Sequence, residues 1–157
     1  MRQRVGILVV ASLLAYGASV LQVMAPAEAR SPAYTCSVGA SGSGTTTYVG
    51  GGHIITIDAS GVARCLGGAS GGFHLYSSVS YAIKCAESTG LGLVNIWLPN
   101  GDYIIVGLTV VGDSLTGLGK VEAGPHRGRV ALVSLVSSRN LAACPNYGFT
   151  VHGLIED

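Results

Sequence analysis

Short runs of β-branched and aromatic residues, separated by glycine-rich or Asn-Gly segments at intervals of about ten residues, fill the chain after residue 33. Such residues favour strands, whereas glycine and asparagine favour the turns between strands. The chain contains about eight or nine runs of this kind, and that number at that spacing is typical of a β-sandwich or a small barrel. The sequence therefore predicts an all-β domain of short antiparallel strands.

The segment 91–111 (LGLVNIWLPNGDYIIVGLTVV) predicts a β-hairpin. Two apolar runs flank an Asn-Gly pair at Asn100, and both residues of such a pair accept the positive φ angles of a type I′ turn. The first run is apolar at successive positions, so both faces of its strand are apolar. We therefore expect a strand that is covered on both sides or lies at an oligomer interface, with Trp97 in the core.

Glycine- and serine-rich segments predict breaks between strands. Loops are expected at 39–44 (GASGSG) and 67–72 (GGASGG), and a turn is expected at 58–61 (DASG). Only 77–87 and 136–143 have a composition that allows a helical turn, and neither segment has a good N-cap residue.

The segment 1–29 has the three-part layout of an export signal. Two arginines open the chain, residues 5–24 are apolar and uncharged, and Ala27 and Ala29 supply the small residues that a signal peptidase requires. The alternative is an uncleaved anchor, since about twenty apolar residues span a bilayer. We expect cleavage after Ala29, which leaves one secreted or cell-surface β-domain at 30–157.

The predicted mature domain is electrically neutral. Its 128 residues carry seven basic and seven acidic side chains, so the formal charge is zero. A neutral and sparsely charged domain lacks the basic footprint that nucleic acids and anionic membranes attract. We therefore expect no nucleic-acid partner and no membrane partner after signal removal. Weak charge repulsion between copies also permits self-association.

All four cysteines lie after the predicted signal, and an even number in an exported chain predicts two disulfides. Three pairings exist, and we favour Cys36–Cys65 with Cys85–Cys144 because the first pair would join neighbouring strands. No Cys-x-x-Cys or His-x-x-x-His spacing suggests zinc, so we expect no metal and no cofactor. The predicted fold is thus a small disulfide-braced β-sandwich or Greek-key barrel of about eight or nine short antiparallel strands.

Two short segments supply candidate ligand-binding residues. His126, Arg127 and Arg129 form the only local basic cluster (GPHRGR), and guanidinium groups bind phosphate, sulfate or acidic sugars. His74 and Tyr76 are two residues apart, so they would share one face of a strand. The alternative in both cases is a set of solvated surface side chains.

No residue is assigned a catalytic role. The segment 68–72 (GASGG) matches the Gly-x-Ser-x-Gly pattern of serine hydrolases, but that chemistry needs a strand-to-helix turn and no helical segment follows. Asp58, Asp102 and Asp113 lie in predicted turns, where aspartate commonly binds backbone donors.

These observations predict a secreted, non-enzymatic β-sandwich interaction protein that binds a glycan, a protein or itself at the cell surface. Its partner would be an extracellular glycan or protein whose identity the sequence does not specify. The alternative is a small extracellular hydrolase or protease inhibitor, with His74, His126 or His152 in the site. A hydrolase would need one of these histidines beside a carboxylate, a serine or a second histidine at a cleft.

Overall fold

In a computed structural model, which describes residues 34–85, 89–142, 144 and 147–157, eight antiparallel strands close into a barrel. The strands are β1 (Thr35–Val49), β2 (Gly52–Cys65), β3 (Ser70–Tyr81), β4 (Gly90–Trp97), β5 (Tyr103–Val111), β6 (Ser114–Ala123), β7 (Val130–Ser137) and β8 (Tyr147–Glu156). Each strand pairs with the next one along the chain, and β8 pairs with β1. Every described strand therefore has a hydrogen-bonded neighbour on both sides.

The prediction of an all-β fold with about eight antiparallel strands is confirmed, and of the two expected architectures it is a barrel that forms. Its strand order is an up-and-down meander and not a Greek key, because each connection returns the chain beside the strand that it has just left. The described parts of 77–87 and 136–143 contain strand and turn and no helix. No described helix is long and apolar enough to cross a membrane. The predicted export signal, 1–29, lies outside the described residues.

Two of the predicted breaks are wrong. Strand β1 continues through 39–44 and β2 continues through 58–61, and residues 40–43 pair directly with residues 58–61. The glycines there permit a close approach of the two backbones: a Cβ atom added to Gly61 would overlap the carbonyl oxygen of Gly39, and one added to Gly42 would overlap that of Asp58. Glycine at such positions allows two strands to approach closely, and it does not end either strand.

The predicted hairpin is present as β4 and β5, but its turn is not type I′. Of the residues described in this turn, only Gly101 has a positive φ, at 90°. Its N–H donates to the carbonyl of Leu98, and the N–H of Leu98 donates to the carbonyl of Asp102, both at 3.0 Å. A three-residue loop that starts at Pro99 and ends in a left-handed glycine is the next most common hairpin connection, and proline suits its first position.

The core lies inside the barrel, where alternate side chains of every strand meet. Its largest fully buried apolar members on the strands are Ile55, Ile57, Leu75, Ile96, Ile104, Leu115, Leu135 and Ile155. The expectation of a β4 strand covered on both sides is wrong for the single chain, because a barrel has one interior and each strand turns only every second residue toward it. Val94 and Ile96 are buried, whereas Leu93 and Trp97 are exposed on the outer wall.

The disulfides join Cys36 to Cys65 and Cys85 to Cys144, the pairing that the sequence favours. The first bridge links directly paired residues of β1 and β2. It lies at the barrel end that also holds the β2–β3, β4–β5 and β6–β7 turns and the end of β8. We call this the Asp102 end, after the residue in its β4–β5 turn. The second bridge follows β3 and precedes β8, so it lies at the opposite end.

The glycine contact between β1 and β2 predicts opposite outcomes for two neighbouring substitutions. Gly61→Ala places a methyl group against the β1 backbone, so we expect the free energy of unfolding to fall by about 1–3 kcal/mol. Gly39→Ala adds its methyl group in open space and is expected to change stability by less than about 0.5 kcal/mol. Urea unfolding of the oxidised proteins measures both. Equal effects of the two substitutions would contradict the proposed strand contact.

Candidate functional site

An aromatic row crosses the outer wall of the barrel from β3 to β5. The register places His74 opposite Trp97, and Trp97 opposite Tyr103. Directly opposed residues on antiparallel strands lie side by side on the same face. The ring centroids are 5.0 Å apart for His74 and Trp97 and 5.2 Å apart for Trp97 and Tyr103. The indole is 41% exposed, so part of it is open to solvent.

Polar groups border this row and hold its outer rings. Oδ1 of Asp58 lies 2.9 Å from Nε2 of His74, and the hydroxyl of Tyr103 donates to Oδ1 of Asn95 at 2.6 Å. In the adjacent register row the exposed Tyr76 lies between Asp58 and Asn95. We call the six residues the aromatic wall: Asp58, His74, Tyr76, Asn95, Trp97 and Tyr103. It offers apolar ring surface next to hydrogen-bonding groups, all carried by strands.

A second cluster lies at the Asp102 end, around a buried carboxylate. The Asp102 side chain is fully buried. Its Oδ2 lies 2.6 Å from Nδ1 of His126 and accepts a bond of 2.6 Å from Nδ2 of Asn100, while its Oδ1 accepts the backbone N–H of His126 at 3.1 Å. When the imidazole is neutral, donation from Nδ1 to this carboxylate leaves Nε2 as an acceptor.

A pocket of about 170 Å³ opens beside this pair. The ring of Tyr34 forms one side, with its centroid 4.5 Å from that of His126, and Leu66 and Ala69 of the β2–β3 turn form another. The Tyr34 hydroxyl is buried near the Asp102 carboxylate. Burial raises the pKa of this phenol well above its usual range, and the carboxylate of Asp102 raises it further.

The predicted basic cluster does not act as one unit. Nη1 of Arg129 donates to both carboxylate oxygens of Asp157 at 3.0 Å, and Oδ1 of Asp157 also accepts the backbone N–H of Tyr34 at 2.8 Å. The Tyr34 bond ties the start of β1 to the end of β8, and the Arg129 bonds tie the residue before β7 to the same carboxylate. Arg127 is exposed on the β6–β7 turn, whereas His126 lines the pocket. The three residues of this motif therefore have separate roles: Arg129 forms an ion pair, Arg127 is a surface charge, and His126 lines the pocket.

The five predicted ligand-binding residues thus separate into two places. His74 and Tyr76 belong to the aromatic wall, whereas His126, Arg127 and Arg129 lie at the Asp102 end. His152, which the hydrolase alternative also named, is exposed on β8. Within the described ranges, no group of three or more His, Cys, Asp or Glu residues is arranged to hold a metal ion.

Sequence reasoning missed the central residue of the wall, because it placed Trp97 in the core. Trp97 lies on the opposite face of its strand from Val94 and Ile96, but the sequence does not show which of the two faces is buried.

Asp58 lies within β2 and not in a turn, so that prediction is wrong, whereas Asp102 does lie in a turn. Strand β3 begins at Ser70, so the Gly-x-Ser-x-Gly match spans a turn into a strand.

The chain gives no significant match to a protein-family model, to a curated protein or to a solved structure. The function of the aromatic wall and of the pocket therefore has to be inferred from their own geometry.

The position of Trp97 predicts its fluorescence. It is the only tryptophan, so emission excited at the red edge of protein absorption reports on this residue alone. We expect acrylamide to quench the emission of the folded protein substantially, because part of the indole is exposed. Unfolding in guanidinium should then increase the quenching only modestly. A blue-shifted emission that acrylamide does not reduce until the protein unfolds would place Trp97 in the core.

The raised pKa of Tyr34 predicts a loss of stability at alkaline pH. Above about pH 10, the ordinary tyrosine value, Tyr34 releases its proton in the unfolded chain but keeps it in the folded one. The free energy of unfolding should therefore fall by up to about 1.4 kcal/mol per pH unit through this residue. Urea unfolding from neutral to alkaline pH should give a shallower decline for Tyr34→Phe, with Tyr76→Phe as the exposed control. Identical pH slopes for wild type and Tyr34→Phe would refute the assignment.

Proposed function

We propose that this protein is a secreted, non-enzymatic glycan-binding protein and that the aromatic wall is its binding surface. The observation that carries the proposal is the exposed Trp97, placed in one row with His74 and Tyr103 on the outside of the barrel. Large aromatic side chains gain much free energy when they are covered, so a row of three rings on the barrel surface with an exposed indole at its centre favours a partner that covers it.

The chemistry of the wall matches that of a sugar. A pyranose ring has an apolar face of C–H groups, which packs on an indole or phenol, and a rim of hydroxyls, which need donors and acceptors. The Asp58 carboxylate accepts from hydroxyls in strong charge-assisted bonds, and the Asn95 amide both donates and accepts. The six residues of the wall include one carboxylate and no lysine or arginine. A neutral glycan therefore fits this surface better than a sulfated or uronic-acid polymer.

The backbone that carries the wall is paired on both sides before a ligand binds. Its residues belong to paired strands, and the bonds from Asp58 to His74 and from Tyr103 to Asn95 hold the rings on either side of Trp97. Side chains held in place before binding lose little conformational freedom when a ligand arrives. A shallow surface on a rigid barrel wall suits an extended oligosaccharide that lies across several strands.

Secretion is supported by two observations. The sequence of residues 1–29 predicts an export signal, and both disulfides of the domain are compatible with an oxidising extracellular environment. An interaction protein outside the cell meets glycans on cell surfaces and in the surrounding matrix.

One observation favours the alternative of a small hydrolase: His126 lies 2.6 Å from the Asp102 carboxylate at the edge of a pocket. Hydrolysis through a covalent intermediate also needs a nucleophile near the histidine. Of the described residues that line the pocket, Tyr34 carries the only side-chain hydroxyl, and Cys65 is held in a disulfide. The pocket is therefore better equipped to bind a molecule than to cleave one.

Glycan arrays probed with the purified, oxidised secreted protein test the proposal, followed by calorimetry with the best oligosaccharide. We expect binding to neutral glycans, and Trp97→Ala should weaken it by about tenfold to a hundredfold, as loss of a central aromatic contact does. Leu93→Ala is the matched control, because Leu93 is also an exposed apolar residue on the same face of β4. Absence of binding to any glycan, or equal affinity of Trp97→Ala and wild type, would refute the proposal.

A further inference from the structure

We propose that the pocket at the Asp102 end is a second binding site, separate from the aromatic wall, and that it takes a small neutral phenol. The site consists of the Asp102–His126 pair, the ring of Tyr34 and the β2–β3 turn. The proposal does not depend on glycan binding, because its residues do not belong to the wall.

The size of the pocket limits the ligand to about one aromatic ring. Its volume is about 170 Å³, and a cavity of about 150 Å³ in another protein accommodates benzene. Apart from His126 and Asn100, the lining consists of the Tyr34 ring, one cysteine of the Cys36–Cys65 disulfide, and small or aliphatic residues. A flat apolar molecule fits this lining, and it would pack against the tilted pair of the Tyr34 and His126 rings.

The polar groups require a hydroxyl on that ring. Asp102 occupies Nδ1 of His126, so Nε2 of the neutral imidazole is an acceptor that needs a donor. The Tyr34 hydroxyl is fully buried near Asp102, so it is out of reach of a molecule in the pocket. An acceptor without a donor in a largely apolar pocket is unfavourable, and a ligand hydroxyl that donates to Nε2 removes that cost. A phenol carries such a donor on a flat apolar ring.

The electrostatics of the site select against an anion. Burial is the main cause of the raised pKa of the Tyr34 phenol. The fully buried carboxylates of Asp102 and Asp157 raise it further, because they disfavour a second negative charge there. Arg129 balances Asp157 through its two bonds to that carboxylate. No comparable cation contacts Asp102, whose described partners are His126 and Asn100. A phenolate or a carboxylate would meet the same repulsion, so the ligand is neutral.

Calorimetry and ¹H–¹⁵N NMR with three probes of the same shape test the proposal. They are 4-methylphenol, 4-methylanisole, in which the hydroxyl is capped, and toluene, which lacks it. We expect 4-methylphenol to bind saturably and at least about tenfold more tightly than the other two, the difference that one buried hydrogen bond makes. The largest amide shifts should be those of Ala69 and His126. Equal affinity for all three probes, or no saturable binding, would overturn the proposal.

Two variants locate the ligand and identify its contact. Ala69→Phe fills the pocket from the β2–β3 turn, leaves Asp102, Asn100 and His126 unsubstituted, and should abolish binding of 4-methylphenol. His126→Asn keeps an amide donor near the Asp102 carboxylate but lacks the Nε2 acceptor, so it should bind 4-methylphenol and 4-methylanisole equally. Leu93→Ala, on the outer wall, should bind 4-methylphenol like the wild type. Wild-type binding by Ala69→Phe, or retained discrimination by His126→Asn, would place the ligand elsewhere.

Discussion

The pairing of β1 with β8 is the constraint on which the rest of this structure depends. Ten register pairs, from Thr35 with Glu156 to Gly44 with Tyr147, join the first strand to the last. Without them the eight strands would form an open meander with two unpaired edges and no enclosed core. With them the sheet has one inside, and every second residue turns toward it. The buried aliphatic residues then meet from all sides, and the apolar residues that alternate with them remain on the outer wall.

Closure also determines where functional groups meet. Strands that alternate in direction bring the start of β1, the end of β8 and three turns to the Asp102 end. The ion pair of Arg129 with Asp157 and the backbone bond from Tyr34 to Asp157 tie the chain together there. The pocket beside Asp102 is a consequence of this assembly, since its lining comes from four separate segments of the chain. The lateral register of β2 to β5 brings the residues of the aromatic wall together, and closure decides that they lie on the outer face, so the two sites arise from different features of one barrel.

The sequence predicts part of this arrangement because some of its signals are local. Strand number, fold class and the hairpin around Gly101 follow from β-branched runs and turn residues, and the Cys36–Cys65 pairing follows from neighbouring strands. The signals fail where the decisive contact is distant in sequence. Glycines at 39–44 indicate a loop until one sees that β2 lies against them. The run around Trp97 is apolar on both faces, so only closure decides that the indole lies outside. The Asp102–His126 contact joins residues 24 positions apart on two separate turns.

Cross-strand NOEs between β1 and β8 in the oxidised protein test the closed barrel most directly. Backbone NOEs should connect Ala40 with Val151 and Val38 with Gly153, as their register pairing requires. The amides that bridge these strands should also exchange slowly with solvent. If these NOEs are absent and the amides at the outer edges of β1 and β8 exchange rapidly, the sheet is open. The inward and outward faces assigned to the strands, and with them the aromatic wall and the pocket, would then be wrong.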